Sequence, residues 1–240
     1  IDTLICPGTS AAFTNTTIPG VTGPVTYIWS FGDGYTSTSA TPAHSFTFPG
    51  HFSITLNATN TEGCAASSTK PSYIHVLTPP IAAFTADLTH FCHPPGNVAF
   101  SNMSTGTGPL TYNWRFGDAS PTTTLPSPTH SYPDTGTFDV HLSVADIYGC
   151  TDSITTAHFV TVNNLTASFA GPDSNCLYTP VTFINSGSPF LSCAWNYGDG
   201  HTDTVINGHD TYYSPGTYTV SLITWNGFCH DTFSKPFVIH

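Results

Sequence analysis

Trp29-Ser30-Phe31-Gly32-Asp33-Gly34 returns as Trp114-Arg115-Phe116-Gly117-Asp118-Ala119, and again as Trp195-Asn196-Tyr197-Gly198-Asp199-Gly200. The tryptophans stand 85 and then 81 residues apart (Trp29 to Trp114, Trp114 to Trp195). That spacing suits one small β-domain, and a repeat of this kind decides the fold before any other feature does. Working outward, Val25, Tyr27, Trp29 and Phe31 alternate with Thr26, Ile28 and Ser30, which puts one face of a strand in a core. Asp33-Gly34 supplies the positive φ of a tight turn. Gly20, Gly23 and Pro24 mark an earlier turn, after a strand over Ala11–Asn15. A second alternating strand carries Phe52, Ile54, Leu56 and Ala58. The closing strand holds Tyr73, Ile74 and Val76.

The other repeats follow the same course. His44-Ser45-Phe46 becomes His130-Ser131-Tyr132 and His209-Asp210-Thr211-Tyr212. Asn60-Thr61-Glu62-Gly63-Cys64 becomes Asp146-Ile147-Tyr148-Gly149-Cys150, then Asn226-Gly227-Phe228-Cys229 with one residue deleted. Short strands, frequent turn signals and no helical period argue an all-β chain of three tandem antiparallel sandwiches, over residues 1–77, 78–163 and 164–240. The joins at Leu77–Pro80 and Val162–Leu165 are short and poor in Gly, so a stiff rod is expected. Repeats two and three open with a strand (Ala82–Ala86, Ala167–Ala170) before their first cysteine. Repeat one has only Ile1–Ile5 there. Its first strand is truncated, replaced by Ile1–Ile5, or supplied by a neighbouring molecule, and an uncovered edge invites strand addition.

Composition narrows the function. Lys70, Arg115 and Lys235 are the only basic residues, and the formal net charge is −11. Nothing in such a chain neutralises phosphate, which argues against nucleic-acid partners. No apolar run reaches the length of a membrane span. The chain opens on Ile1 without a leader, as a mature product or a fragment would. Cys6, Cys92 and Cys176 come early in the repeats; Cys64, Cys150 and Cys229 come late, at intervals of 58, 58 and 53 residues. One early and one late cysteine per repeat predicts three bridges inside repeats, Cys6–Cys64, Cys92–Cys150 and Cys176–Cys229, in an oxidising compartment. Cysteines acting only as small buried hydrophobes are the alternative. Cys193 is left over. It stands where Tyr27 and Tyr112 stand, two residues before the tryptophan, so it is expected as a buried free thiol, with an intermolecular bridge the other option.

These residues resemble the PKD (polycystic kidney disease) domain. The resemblance rests on Trp-x-Phe-Gly-Asp-Gly, His-x-Tyr/Phe, Gly-x-Tyr/Phe-x-Val-x-Leu and the closing Asn-x-x-Gly-Cys, and it covers essentially the whole chain. It implies an immunoglobulin-like β-sandwich in an extracellular or cell-surface protein, used for adhesion, spacing or ligand contact. The Gly-Cys ending is similar to tandem repeats in surface proteins of the Bacteroidota. Ala119 in place of Gly, and the deletion before Cys229, depart from the pattern and bear on turn geometry alone.

The expected role is therefore non-catalytic: a stiff, disulfide-stapled spacer or adhesive segment, either a plain stalk or a subunit that self-assembles into a filament by strand addition. The alternative is a carbohydrate- or protein-binding module beside a secreted enzyme. Partners would be neighbouring domains, copies of the same chain, or surface glycans and proteins. Glu62 is the sole glutamate, so no Glu pair for glycoside hydrolysis exists, and no hydrolase elbow, zinc-protease or phosphate-loop motif occurs. Asp33, Asp118 and Asp199 read as turn residues that accept backbone N–H bonds. Asp199 and Asp203 are the only calcium candidates, short of the oxygen count such a site needs. No cofactor is implied. His44, His130 and His209 read as packing or hydrogen-bonding residues rather than ligands. His90-Phe91-Cys92-His93 looks like a zinc cluster, but Cys92 is already assigned to a bridge. Asp-Thr/Ser-aliphatic triplets mark Thr3, Ser153 and Thr204 as O-glycosylation candidates; Asn15, Asn57, Asn102 and Asn164 begin N-glycosylation sequons.

Overall fold

The structure is a computed structural model that describes residues 3–18 and 24–240. The turn expected at Gly20 and Gly23 lies outside the described residues, as do Ile1 and Asp2. Repeat one contains β1 (Thr3–Ile5), β2 (Ser10–Ala12), β3 (Val25–Ser30), β4 (Thr36–Ser37), β5 (Ala43–Ser45), β6 (Gly50–Asn60) and β7 (Ala65–Val76). Repeat two contains β8 (Phe84–Ala86), β9 (His90–Phe91), β10 (Gly96–Asn102), β11 (Thr111–Arg115), β12 (Thr129–Tyr132), β13 (Gly136–Ala145) and β14 (Thr151–Val162). Repeat three contains β15 (Phe169–Ala170), β16 (Ser174–Asn175), β17 (Val181–Asn185), β18 (Ser192–Asn196), β19 (Thr202–Asp203), β20 (Gly208–Asp210), β21 (Gly216–Trp225) and β22 (His230–Ile239). The chain is all-β, built as three immunoglobulin-like sandwiches in tandem.

In each repeat the larger sheet runs in one order: β1-β7-β6-β3-β4, then β9-β14-β13-β11, then β16-β22-β21-β18-β19. Its first strand lies parallel to the repeat's last strand, with Ile5 opposite Val76, Phe91 opposite Val162 and Asn175 opposite Ile239. The smaller sheets are β2-β5, β12-β10-β8 and β15-β17-β20. Between the two sheets lie three separate cores, centred on Trp29, Trp114 and Trp195. Each indole N–H is satisfied by a carbonyl, of Ser39, Leu125 and Val205, at 3.0–3.1 Å. An amide-like donor left unpaired at such depth would cost on the order of 1–3 kcal/mol.

The motif glycine follows from this packing. Gly32, Gly117 and Gly198 have φ near +83°, and a Cβ on each would fall 2.8, 2.5 and 2.8 Å from the carbonyl oxygen of Ser53, Asp139 and Thr219. Backbone lies against backbone there, so only Gly fits. Ala119 keeps the left-handed turn of its counterparts Gly34 and Gly200, with φ +61°, at a cost on the order of 1 kcal/mol. The deletion in repeat three shortens the hairpin: Asn226 N–H meets the Cys229 carbonyl, where Asn60 meets Cys64 and Asp146 meets Cys150.

The disulfides correct the expected pairing. The bridges are Cys6–Cys150 and Cys92–Cys229, with Cα–Cα distances of 5.3 and 5.4 Å, while Cys64, Cys176 and Cys193 are free. Strand direction explains why Cys6–Cys64, Cys92–Cys150 and Cys176–Cys229 do not form. Cys6 follows Ile5, which pairs with Val76 at the exit end of β7, whereas Cys64 precedes Ala65 at the entry end. The length of β7, roughly 35 Å at about 3.3 Å per residue, separates them. A disulfide needs Cα atoms within about 7 Å. The bridges therefore run from the exit end of one repeat to the hairpin tip of the next. At the second junction His90 also stacks on Phe228, with ring centroids 4.6 Å apart.

Candidate functional site

At the asymmetric edge of repeat one the described residues border a groove. In repeat two, β8 pairs antiparallel with β10, with Phe84 opposite Asn102 and Ala86 opposite Phe100. Phe84 then packs between Trp114 and Phe159, each at 5.2 Å. Phe169 does the same in repeat three, 5.0 Å from Trp195 and 5.2 Å from Phe233. By register, Phe13 and Asn15 stand where Phe100 and Asn102 stand, since Ala12 pairs with Ala43 as Ala99 pairs with Thr129. Among the described residues no strand pairs with that edge. Thr3–Ile5 does not replace it, because β1 is the counterpart of β9 and β16 in the other sheet.

A cavity of about 490 Å³ occupies this place, lined by Phe13, Trp29, Ile54, Leu56, Lys70 and Tyr73 among others. That size is within the range of ligand clefts, roughly 300–1,000 Å³. Phe13 and Trp29 form its floor, 5.8 Å apart, and the Lys70 ammonium sits 4.5 Å over the Tyr73 ring at its rim. A second difference accompanies the missing strand. Ala82 N–H and Ala167 N–H, at the start of repeats two and three, donate to Asp152 and Asp231 at 2.8 Å. Ala66 holds that place in repeat one, opposite Ala58 as Asp152 is opposite Val144. The groove therefore has no counterpart of this carboxylate clamp.

In repeats one and two the repeated aspartate and histidine are each other's partners; the sequence suggested a hydrogen-bonding histidine but not its partner. Asp33 accepts the Tyr35 N–H at 3.1 Å and pairs with His44 Nε2 at 2.6 Å; Asp118 accepts the Ser120 N–H and pairs with His130 Nε2 at 2.7 Å. Each histidine stacks flat on the motif phenylalanine, at 4.2 Å on Phe31 and 4.0 Å on Phe116. Burial pushes both carboxyls up. Hydrogen bonds from His44 and Tyr35, or from Ser120 and His130, outweigh it and hold each below the ordinary 3.8. In repeat three His209 turns to Thr182 instead, and His201 pairs with Asp210 at 2.9 Å. Two His signals eleven or twelve residues after an Asp, with the same turn between them, were the available clue.

This arrangement is structural chemistry. Ser120, His130 and Asp118 lie together, but Ser120 Oγ and Asp118 both meet the same nitrogen, His130 Nε2. A nucleophilic triad needs the acid on one ring nitrogen and the serine on the other. Asp199 accepts the His201 N–H, while Asp203 accepts from the Tyr197 hydroxyl and Val205 N–H. The two calcium candidates are thus engaged separately, and the described residues contain no group of three or more His, Cys, Asp or Glu able to hold a metal. Cys92 of the His90–His93 cluster is in a disulfide. Cys193 is buried with its thiol on the Val205 carbonyl, and burial, with Asp203 nearby, pushes its pKa up. Thr3, Ser153, Thr204, Asn57 and Asn164 are exposed; Asn15 and Asn102 are half-buried, with side chains capping Thr17 and Ser104.

A family model for the PKD domain matches residues 1–76, 78–162 and 169–238. The chain belongs to the PKD domain family. Among curated proteins, this PKD array is 32% identical over 156 residues to the pre-pro-metalloprotease PrtV of Vibrio cholerae serotype O1, covering 62% of the chain and 16% of that protein. It is 40% identical over 53 residues to a microbial collagenase of Vibrio alginolyticus, covering 22% of the chain and 6% of that protein. The chain thus spans a small part of the length of these relatives. Among solved structures, the ICAM-5 D1-D4 ectodomain fragment aligns with 100% of the chain and 74% of its own, at 12% identity and a TM-score of 0.48. Among the described residues no helix is long and apolar enough to cross a membrane.

Proposed function

We propose that this PKD array is a non-catalytic segment of an extracellular or cell-surface protein, a disulfide-locked spacer whose first repeat accepts an extended strand. The carrying observation is the groove beside Phe13 and Trp29, in the place that Phe84 and Phe169 fill in the sister repeats. Its occupant is an extended segment with the Phe-x-Ala pattern of Phe84-Thr85-Ala86, the aromatic entering over Trp29 and the backbone pairing along Phe13–Asn15. The oxidising compartment is supported by the two bridges. The bridged junctions support the stiff spacing, over the domain spans 1–77, 78–163 and 164–240. Thr3, Ser153 and Thr204 are accessible to O-glycosylation; intact mass of the protein from its source decides whether they carry sugars.

The test is a synthetic Ile81–Ala86 peptide added to the chain while Trp fluorescence is followed. Saturable binding that is lost with a Phe84→Asp peptide, and lost in a Phe13→Asp chain, supports the reading; equal response to both peptides contradicts it. Filament growth through this edge needs the donor strand of a second copy. Ordered fibres in electron microscopy establish that form of assembly, and monodisperse monomers at high concentration exclude it.

One observation favours the binding-module reading. Tyr178 and Tyr213 are exposed, with ring centroids 6.0 Å apart, and Tyr213 borders a cleft of about 550 Å³ with Asp199, His201, His209 and Asp210. An aromatic platform beside polar groups suits sugar rings. Glycan-array binding that disappears in Tyr213→Ala would support this reading.

A further inference from the structure

Each bridge joins two fixed places in the fold. The first follows the short strand that lies parallel to a repeat's last strand: Cys6 after β1 and Cys92 after β9. The second is the tip of the long hairpin in the next repeat: Cys150 between β13 and β14, and Cys229 between β21 and β22. Repeat three offers the first place in Cys176, directly after β16. Repeat one offers the second in Cys64, between β6 and β7. Both are exposed and unbonded, whereas the bonded Cys150 and Cys229 are 1% and 2% exposed.

The surrounding geometry is the same at bonded and unbonded places. The Asn60 side chain accepts the Cys64 N–H at 2.8 Å, as Asp146 and Asn226 accept those of Cys150 and Cys229 at 2.9 Å. At the other end, His240 N–H donates to the Asn175 carbonyl, as Leu77 does to Ile5 and Asn163 to Phe91. Cys176 therefore lies beside the chain's exit from its repeat, where Cys6 and Cys92 lie.

We propose that Cys176 of one copy and Cys64 of a second copy of this chain form the same bridge, joining copies end to end in the register of the two internal junctions. Continuity with those junctions selects the partner, since the hairpin tip of another repeat is what seats on this end twice already. A small disulfide such as oxidised glutathione is the oxidant. One cysteine thiolate attacks its S–S bond and releases the first glutathione thiol; the partner thiolate then attacks the protein sulfur of the mixed disulfide and releases the second. Two protein thiols lose two hydrogens, and one glutathione disulfide gains them. Glu62 and Ser174 occupy the places of the stacked Phe228 and His90, so the covalent bond carries this joint.

The chain is incubated with a glutathione redox buffer, then examined by non-reducing electrophoresis and by mass spectrometry of linked peptides. The expected result is a ladder that collapses on reduction and contains a Cys64–Cys176 peptide. Cys64→Ser alone and Cys176→Ser alone stay monomeric, yet their equimolar mixture gives a dimer that grows no further. Cys193→Ser gives the full ladder. Both replaced residues are exposed and unbonded, and an unchanged melting temperature of the monomers verifies that the variants fold. Symmetric Cys64–Cys64 or Cys176–Cys176 links, a bond within one copy, or monomers capped by glutathione overturn the proposal.

Discussion

At the residue scale the motif that announces the fold is bound up in building it. Gly117 lies against the Asp139 backbone at a positive φ, so Gly117→Ala is expected to cost several kcal/mol, adding a backbone clash to left-handed strain on the order of 1–2 kcal/mol. Ala119→Gly relieves the left-handed strain at φ +61° and should raise stability by about 1 kcal/mol; a denaturant melt that shows destabilisation contradicts the left-handed assignment. Asp33 and Asp118 titrate below the ordinary 3.8 in the folded state. A carboxyl with a lowered folded pKa contributes stability that is complete above its unfolded value and is lost as pH falls through the folded one. Acid unfolding should therefore steepen below about pH 4, and Asp118→Asn should flatten that limb while lowering stability at pH 7. Equal pH dependence in variant and parent would refute the Asp–His coupling. The aspartates were legible in the sequence as turn residues because an Asx turn is local. Their pairing with His44 and His130 was not, since it depends on how β5 and β12 lie across the turn.

At the element scale the alternation of Val25 to Phe31 and of Phe52 to Ala58 was enough to place the core strands, because a period of two fixes which face is buried. What that period leaves open is which edge strand goes to which sheet. Thr3–Ile5 has the composition of either edge and joins the larger sheet, parallel to β7; the groove beside Phe13 follows. Among the described residues, repeat one shows neither an aromatic plug like Phe84 or Phe169 nor, with Ala66 in place of Asp152, the carboxylate clamp. Hydrogen exchange should show β2 and β5 exchanging faster than β10 and β12, and repeat one opening at the lowest free energy. Phe169→Ala, which removes the plug of repeat three, should cost about 3–5 kcal/mol and bring repeat three down towards repeat one. Uniform protection across the repeats would contradict an open edge.

At the scale of the whole molecule three copies of one domain become a single covalent object. Counting cysteines gave the presence of disulfides and the wrong partners. One early and one late cysteine per repeat is a pattern that bridges within repeats and bridges between them satisfy equally. Only strand direction separates the two: the early cysteine sits at a repeat's exit and the late one at its entry, so the bridges that form, Cys6–Cys150 and Cys92–Cys229, cross junctions. Loops of 144 and 137 residues are closed in this way, each worth roughly 5 kcal/mol against the unfolded chain on the entropy model. Reduction should accordingly loosen the junctions while leaving three separate cores folded. Peptide mapping of the oxidised monomer under non-reducing conditions tests this account most directly. Linked peptides joining Cys6 to Cys150 and Cys92 to Cys229, with a gain of four hydrogens on reduction of the two bridges, is the predicted result; peptides joining Cys6 to Cys64 or Cys92 to Cys150 would contradict it.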